Sequence, residues 1–257
     1  VITALLEKNV KDNDKERKRR QFTAKLIEYK GKKLTIGNKQ ETDKILSALK
    51  LNNFTVKNLE EKERIKKPLP PYTTSTLQQE ASNKLGFYTK KTMLIAQQLY
   101  EGIEIKGHGT IGLVTYIRTD SVRVSEIARN AAAKYITEQY SKEYLGNNVY
   151  TNKKKDVQDA HEAIRPSNLE LHPDQIKGSL TKDQYGLYKL IWSRFLASCM
   201  ASAVFDSTSV DIINGDYTLR ATGSRLKFDG YLKIYNNANE DDEEKSLPTL
   251  ESGEKLI

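Results

Sequence analysis

Gly112-Leu113-Val114-Thr115-Tyr116-Ile117-Arg118-Thr119-Asp120-Ser121 is the stretch from which the organisation of this chain is read. Its first half is rich in β-branched and aromatic residues, the composition of a strand. On an extended backbone successive side chains alternate faces. Val114, Tyr116 and Arg118 then share one face and Leu113, Thr115 and Ile117 the other. Such a strand presents a phenol and a guanidinium together while Leu113 and Ile117 anchor in a core. A helix would turn Arg118 to the far side of Tyr116. Thr119-Asp120-Ser121 reads as a turn or helix cap.

A tyrosine hydroxyl, with an unperturbed pKa of about 10, is a weak nucleophile at neutral pH. Neighbouring cations make it useful by stabilising the phenolate or the charge that develops on the group it attacks. Arg118 offers planar, bidentate donors suited to a phosphate. The same two residues at this spacing are also an ordinary surface pair on a strand, so the neighbouring sequence has to decide.

Outward toward the N-terminus, Thr89 to Glu101 has a helical pattern stopped by Gly102, and Leu77, Ala81 and Leu85 recur at i+4 before Gly86. Ser75 and Gln78 have capping-box spacing. Pro68, Pro70 and Pro71 mark a boundary. Before it lie strand patterns at Val1–Lys8, Phe22–Ile27, Lys33–Ile36 (a hairpin about Lys30-Gly31) and Phe54–Glu63, with a short helix over Glu41–Lys50. Toward the C-terminus, Ser125 to Tyr140 places Ile127, Ala128, Ala131, Ala132, Tyr135 and Ile136 on one helix face. His161–Arg165 reads as a short helix or turn ended by Pro166, and Thr181/Gln184 cap a long helix through Trp192 to Met200. Strand patterns return at Val204–Ile213, across Asn214-Gly215 into Tyr217–Ala221, and at Leu226–Tyr235. Neither strand set is large enough to close a sheet alone. The expected fold class is therefore α+β: a β-rich domain built from both chain ends, 1–75 and 202–257, carrying an inserted mainly helical domain, 76–201.

Four stretches in order carry a resemblance. They are Pro70-Pro71-Tyr72-Thr73-Thr74-Ser75-Thr76-Leu77-Gln78-Gln79-Glu80-Ala81, then Lys84-Leu85-Gly86-Phe87 through Ala96-Gln97-Gln98-Leu99-Tyr100-Glu101-Gly102, the Tyr116 stretch, and Ala160-His161-Glu162-Ala163-Ile164-Arg165-Pro166. Together they resemble the type IA DNA topoisomerases over nearly the whole chain. The His-Glu-Ala-Ile-Arg-Pro form is that of the bacterial topoisomerase I branch. The resemblance implies the type IA arch, in which a β-rich hinge domain carries the helical domain. It implies that Tyr116 is the covalent nucleophile, that Arg118 stabilises the phosphate in flight, and that His161 contacts the DNA phosphate. Cleavage of one DNA strand through a 5′-phosphotyrosine, strand passage and resealing would relax negative supercoils without ATP.

Arg165 and Asp120 belong to the same signatures, and salt bridges holding the Tyr116 strand in place explain them equally well. Lys90, Lys91, Lys153 and Lys154, with Lys155, are candidate DNA-backbone contacts or solvated lysines. The family binds Mg²⁺ through a Glu and paired Asp residues of a Toprim domain, and no such cluster is readable here. Asp241 and Asp242 lie in an acidic run without hydrophobic flanks. No metal is expected on this chain, and the expectation is a central piece of the enzyme, inactive alone, whose partners are single-stranded DNA and the remaining domains of its own protein.

The 257 residues carry 42 Lys+Arg against 34 Asp+Glu, a net charge of +8. Residues 1–75 hold +9, 76–201 hold +4 and 202–257 hold −5. A basic excess suits a polyanionic partner. No apolar run approaches the ~18–20 residues that span a bilayer, and the first residues lack a signal-peptide pattern. With a single cysteine, Cys199, no internal disulfide can form, and the expected location is the cytoplasm, at the nucleoid. A rolling-circle nickase needs a His-x-His pair, which His108, His161 and His172 do not make. A tyrosine recombinase needs a His-x-x-Arg and a Tyr near the C-terminus, whereas Tyr116 is central. The remaining alternative is a non-catalytic single-stranded nucleic-acid-binding module with its basic face on residues 1–75.

Overall fold

The computed structural model describes residues 1–8, 21–151, 161–235 and 247–257. The basic run through Arg17, Arg19 and Arg20, the lysines Lys153, Lys154 and Lys155, and the acidic run at 240–244 lie outside the described residues. The chain is α+β and divides into two compact units, Val1–Ile65 with Val204–Phe228 and Ala238–Ile257, and Lys66–Ala203 with Asp229–Asn237.

In the first unit, strands β1 (Thr3–Glu7), β2 (Gln21–Tyr29), β3 (Lys32–Lys33), β4 (Phe54–Lys66), β7 (Ala203–Asn214), β8 (Tyr217–Phe228) and β9 (Lys255–Leu256) form one sheet. The order is β1-β2-β8-β7-β4-β9, with β3 paired to β2. Strands from the two chain ends thus alternate, because each set lacks the partners to satisfy its own backbone groups. Glu7 and Ile257 exchange two backbone hydrogen bonds of 2.8 and 3.0 Å, and Lys8 bridges Leu256, so β9 joins β4 to β1 and the sheet closes on itself.

Period-two burial along β2, with Phe22, Ala24 and Leu26 inside and Thr23 and Lys25 outside, aims one face at a core shared with Leu6, Val56, Val210, Ile212, Leu219 and Ala221. Helix α1 (Lys39–Leu51), capped by the Asn38 side chain on the Glu41 amide, adds Ile45 and Leu49 to that core. The β2–β3 turn puts Lys30 at φ 50° and Gly31 at φ 72°, a left-handed pair whose twist suits a tight hairpin. The hairpin is shorter than its composition suggests. Only Lys32 and Lys33 pair, and Leu34 to Ile36 leave the strand.

The second unit holds helices α2 (Thr74–Leu85), α3 (Thr89–Glu101), α4 (Glu126–Gln139), the single-turn α5 (Pro173–Ile176) and α6 (Lys182–Ser198), with a small hairpin of β5 (Ile103–Ile105) and β6 (Gly109–Ile111). Helix α6 is its centre: Leu187, Tyr188, Ile191, Trp192, Phe195 and Leu196 are all buried, and the Trp192 indole donates to the Leu169 carbonyl at 3.2 Å. The apolar stripe of α4 is narrower than expected. Ala128, Ala132 and Ile136 are buried at i+4 spacing, whereas Ile127 is 84% exposed.

Three further expectations need correction. The cap of α2 is Thr73, boxed with Thr76, two residues earlier than Ser75/Gln78, because Thr73 holds the extended backbone (φ −93°, ψ 172°) that a cap requires. The strand expected at Leu226–Tyr235 ends at Phe228 and gives way to a 3-10 turn, Gly230–Lys233. Gly230 sits at φ 49° where a Cβ would lie 2.5 Å from the Ala201 carbonyl oxygen. As a consequence, Asp229 to Tyr235 pack with the helical unit rather than with 202–257, and the unit boundaries fall at 65/66 and 203/204 rather than at 75/76 and 201/202.

Tyr231 and Tyr235 secure that return. The Arg194 guanidinium, 6% exposed, donates from Nε to the Pro70 carbonyl (2.7 Å) and from Nη1 to the Tyr235 hydroxyl (3.0 Å), and lies over the rings of both Tyr72 and Tyr235. Tyr235 Oη in turn donates to Glu80 Oε1 at 2.8 Å and meets Tyr72 Oη at 3.0 Å. Burial pushes the Tyr72 hydroxyl far above the ordinary phenol range, so it stays a neutral donor. A buried cation is tolerable only when its donors are used in this way, and the cluster fixes the residues leading into α2.

Tyr235→Phe removes the shared hydroxyl and leaves Arg194, Glu80 and Tyr72 each short of a partner. It is expected to cost about 1–3 kcal/mol, read as a lower urea midpoint at unchanged slope. Burial also pushes the Cys199 thiol up to about 11. At pH 8 only about one thiol in a thousand is then thiolate, so native protein should react with a maleimide orders of magnitude more slowly than urea-unfolded protein.

Candidate active site around Tyr116

The Tyr116 stretch is not a strand. Only Val114 makes a ladder bridge, to Pro166, and the rest is irregular, with bends at Thr115, Ile117 and Arg118. Its backbone groups are satisfied one at a time by neighbouring segments instead of by a sheet. Leu113 N donates to Leu99 O (2.7 Å) at the end of α3, and Ser167 N donates to Leu113 O (2.9 Å). Thr115 N donates to Arg165 O (2.9 Å), the Thr115 hydroxyl donates to Ala163 O (2.8 Å), and Arg165 N donates back to that hydroxyl (3.0 Å).

On the other side of Tyr116, the Thr74 hydroxyl in the first turn of α2 donates to Ile117 O (2.7 Å) and accepts from Thr119 N (2.9 Å). Thr74 N donates to Thr119 O at 2.9 Å. Thr119 Oγ1 then accepts from Ser121 N and Ser121 Oγ from Arg123 N, the hydroxyl turns foreseen for Thr119-Asp120-Ser121.

Although no strand forms, the alternation survives. Ile117, Thr119 and Ser121 are buried, and Tyr116, Arg118 and Asp120 are exposed. Leu113 is buried as expected, and Val114, assigned to the Tyr116 face, is buried too because its bridge to Pro166 covers it. His161–Arg165 is likewise neither helix nor turn. Ala163 N donates to Arg123 O, and Ile164 N to Tyr72 O (2.9 and 2.8 Å), so its amides are used by other segments and no i→i−4 ladder can form.

This folding brings two of the candidates, Tyr116 and His161, together. The Tyr116 ring, 39% exposed, has the His161 ring 5.2 Å away and tilted by 32°, and the Tyr100 ring 5.7 Å away and edge-on at 69°. Arg118 is exposed two residues on, and among the described residues no carboxylate pairs with its guanidinium. An exposed guanidinium without a carboxylate partner is available to an anion.

Other candidates are placed differently. Arg165 donates from Nε to Glu162 Oε2 (2.6 Å) and from Nη1 to Pro166 O (3.0 Å), so it braces its own loop. Burial pushes the Glu162 carboxyl up, but bonds from Arg165 and Ser125 outweigh it and hold the group below its usual range. Asp120 is exposed and has no ion-pair partner among the described residues. Lys90 is exposed, while Lys91 is engaged by Asp183 (2.8 Å) and the Phe87 ring. Lys153 and Lys154 lie outside the described residues.

Among the described residues no three His, Cys, Asp or Glu side chains converge where they could hold a metal ion. The Glu162 carboxylate of the His161–Pro166 loop is committed to Arg165.

A family model described as DNA topoisomerase matches residues 4–257. The chain belongs to the bacterial type IA DNA topoisomerase family. Full-length topoisomerase I from Thermotoga maritima is similar to it at 33% identity and a TM-score of 0.73, over 100% of this chain and 40% of that one. The chain thus spans less than half the length of that family member.

Within this topoisomerase-family fold, the residues that position the site were not marked by spacing. Thr74 and Thr115 lie inside the quoted motifs, but nothing in a linear sequence says that their hydroxyls reach backbone atoms more than forty positions away. Gly112 is required for a similar reason: a Cβ there would stand 2.7 Å from the Tyr100 carbonyl oxygen. Thr74→Val keeps the shape but strands the Ile117 carbonyl and Thr119 amide. The expected result is a loss of about 1–3 kcal/mol and faster hydrogen exchange at Thr119 than at amides of α6.

Proposed function

We propose that this chain carries the strand-cleaving tyrosine of a type IA topoisomerase that relaxes negative supercoils. The observation that carries the reading is the accessible Tyr116 phenol against the His161 ring, with Arg118, exposed and without an ion-pair partner among the described residues, two positions further along the chain. Tyr116 Oη attacks a phosphodiester of single-stranded DNA and forms an O–P bond as the bond to the 3′ oxygen breaks. The phenol gives up its proton, and the departing 3′ oxygen gains one. The products are a 5′-phosphotyrosine and a free 3′-hydroxyl. After another strand passes, the 3′-hydroxyl attacks the phosphotyrosine and reverses each change.

Arg118, a fixed cation rather than a base, neutralises charge on the non-bridging phosphate oxygens. His161 contacts the same phosphate. One phosphoester replaces another, so the bond energy is retained and ATP is not consumed. Asp120, Arg165 and Lys90 lie close along the motif-bearing segments, and Lys90 is the one free to take a backbone phosphate.

The Mg²⁺ of the family would be supplied by a Toprim-type domain outside these residues, consistent with a chain that spans 40% of its Thermotoga relative. The chain is then inactive by itself and acts with the remaining domains on chromosomal DNA in the cytoplasm. No helix among the described residues is long and apolar enough to cross a membrane.

The test mixes the chain with the metal-binding part of the enzyme, labelled single-stranded DNA and Mg²⁺, followed by a detergent quench. A covalent 5′-linked adduct is expected, absent in Tyr116→Phe and reduced about a hundredfold or more in Arg118→Ala. An adduct that persists in Tyr116→Phe would remove Tyr116 as nucleophile. Unchanged DNA affinity with no adduct from any form would favour a non-catalytic binding module.

A further inference from the structure

We infer that Tyr100 is a positioning residue for the Tyr116 nucleophile, a step that rests on the function proposed above. Tyr100 is the penultimate residue of α3, and the backbone of that last turn is locked to the nucleophile segment. Leu113 N donates to Leu99 O at 2.7 Å. Gly112 lies so close to the Tyr100 carbonyl that a Cβ would be 2.7 Å from its oxygen, nearer than real Cβ atoms come. Both contacts fix the Tyr100 Cα relative to Tyr116 before either side chain is considered.

From that anchor the Tyr100 ring meets the Tyr116 ring edge-on, with centroids 5.7 Å apart and planes at 69°. This is the arrangement that aromatic quadrupoles favour. Tyr100 is 40% exposed, so the core does not need its ring. Among the described residues neither phenolic hydroxyl has a hydrogen-bond partner. The aim of Tyr116 is therefore set by ring contacts, with Tyr100 on α3 and with His161, and not by a bond to its oxygen. In-line attack on phosphorus tolerates little misplacement. A ring that narrows the swing of Tyr116 while leaving its hydroxyl free meets that need.

Two readouts test the inference. In the reconstituted cleavage reaction, Tyr100→Leu should slow adduct formation at saturating DNA about three- to tenfold, with half-saturation by DNA unchanged. Tyr100→Phe, which keeps the ring, should restore the rate. In the chain alone, the Tyr116 ring-proton resonances should shift in Tyr100→Leu, which removes the neighbouring ring current, and stay near their positions in Tyr100→Phe. A normal adduct rate or unmoved Tyr116 resonances in Tyr100→Leu would overturn the inference. So would a normal saturated rate with raised half-saturation, which would make Tyr100 a DNA contact. No adduct from the unaltered chain would sink the proposed function, and this inference with it, a result distinguishable from failure of Tyr100 alone.

Discussion

The hydroxyl of Thr74 bridges Ile117 O and Thr119 N, on either side of Arg118, and the arrangement of the site depends on that bridge. A segment buried on one face and outside any sheet must still satisfy its amides and carbonyls. Here a helix N-terminus does so at 117–119 and the 163–167 loop at 113–115. Each bond is worth little alone, but an unmade one at this depth costs more than a made one contributes. The nucleophile segment is thereby held in place without strands on both sides, and Tyr116 and Arg118 stay exposed.

The anchor of that arrangement lies deeper. Arg194 on α6 donates to the Pro70 carbonyl and to the Tyr235 hydroxyl, which passes a hydrogen bond on to the Glu80 carboxylate. Because Pro70 to Thr74 run directly into α2, the buried cation fixes the helix start whose threonine holds the Tyr116 segment. Electrostatics inside the helical unit and chemistry at its surface are linked through five residues of backbone. The candidate cations divide accordingly: Arg165, Arg194 and Lys91 are engaged by acceptors within the chain, and Arg118 and Lys90 have no ion-pair partner among the described residues.

Much of this was legible in one dimension. Period-two alternation placed β2, β7 and β8, because a half-buried strand leaves that signature wherever it pairs. Helices α3 and α6 were bounded by caps that act locally: Gly102 at one, and Thr181 with Gln184 at the other. Two failures share a cause: the helix or turn at His161–Arg165 and the strand through Arg118 were local readings of segments whose backbone partners are remote, whereas Ser75 was a neighbouring hydroxyl taken for the Thr73 cap. Tyr231 and Tyr235 look like strand residues, yet Gly230 at positive φ turns the chain back so that they bury against α6. No window of neighbouring residues contains that information.

The sequence by itself determined the family, the α+β class with its sheet drawn from both ends, and the identities of Tyr116, Arg118 and His161 as candidates, since motif, periodicity and capping are properties of adjacent residues. Only the tertiary structure decided which charges remain free, which hydroxyls hold the nucleophile, and that Tyr100 stands edge-on to it. Those outcomes depend on hydrogen bonds and ring contacts between residues tens of positions apart, whose geometry exists only once the chain has folded.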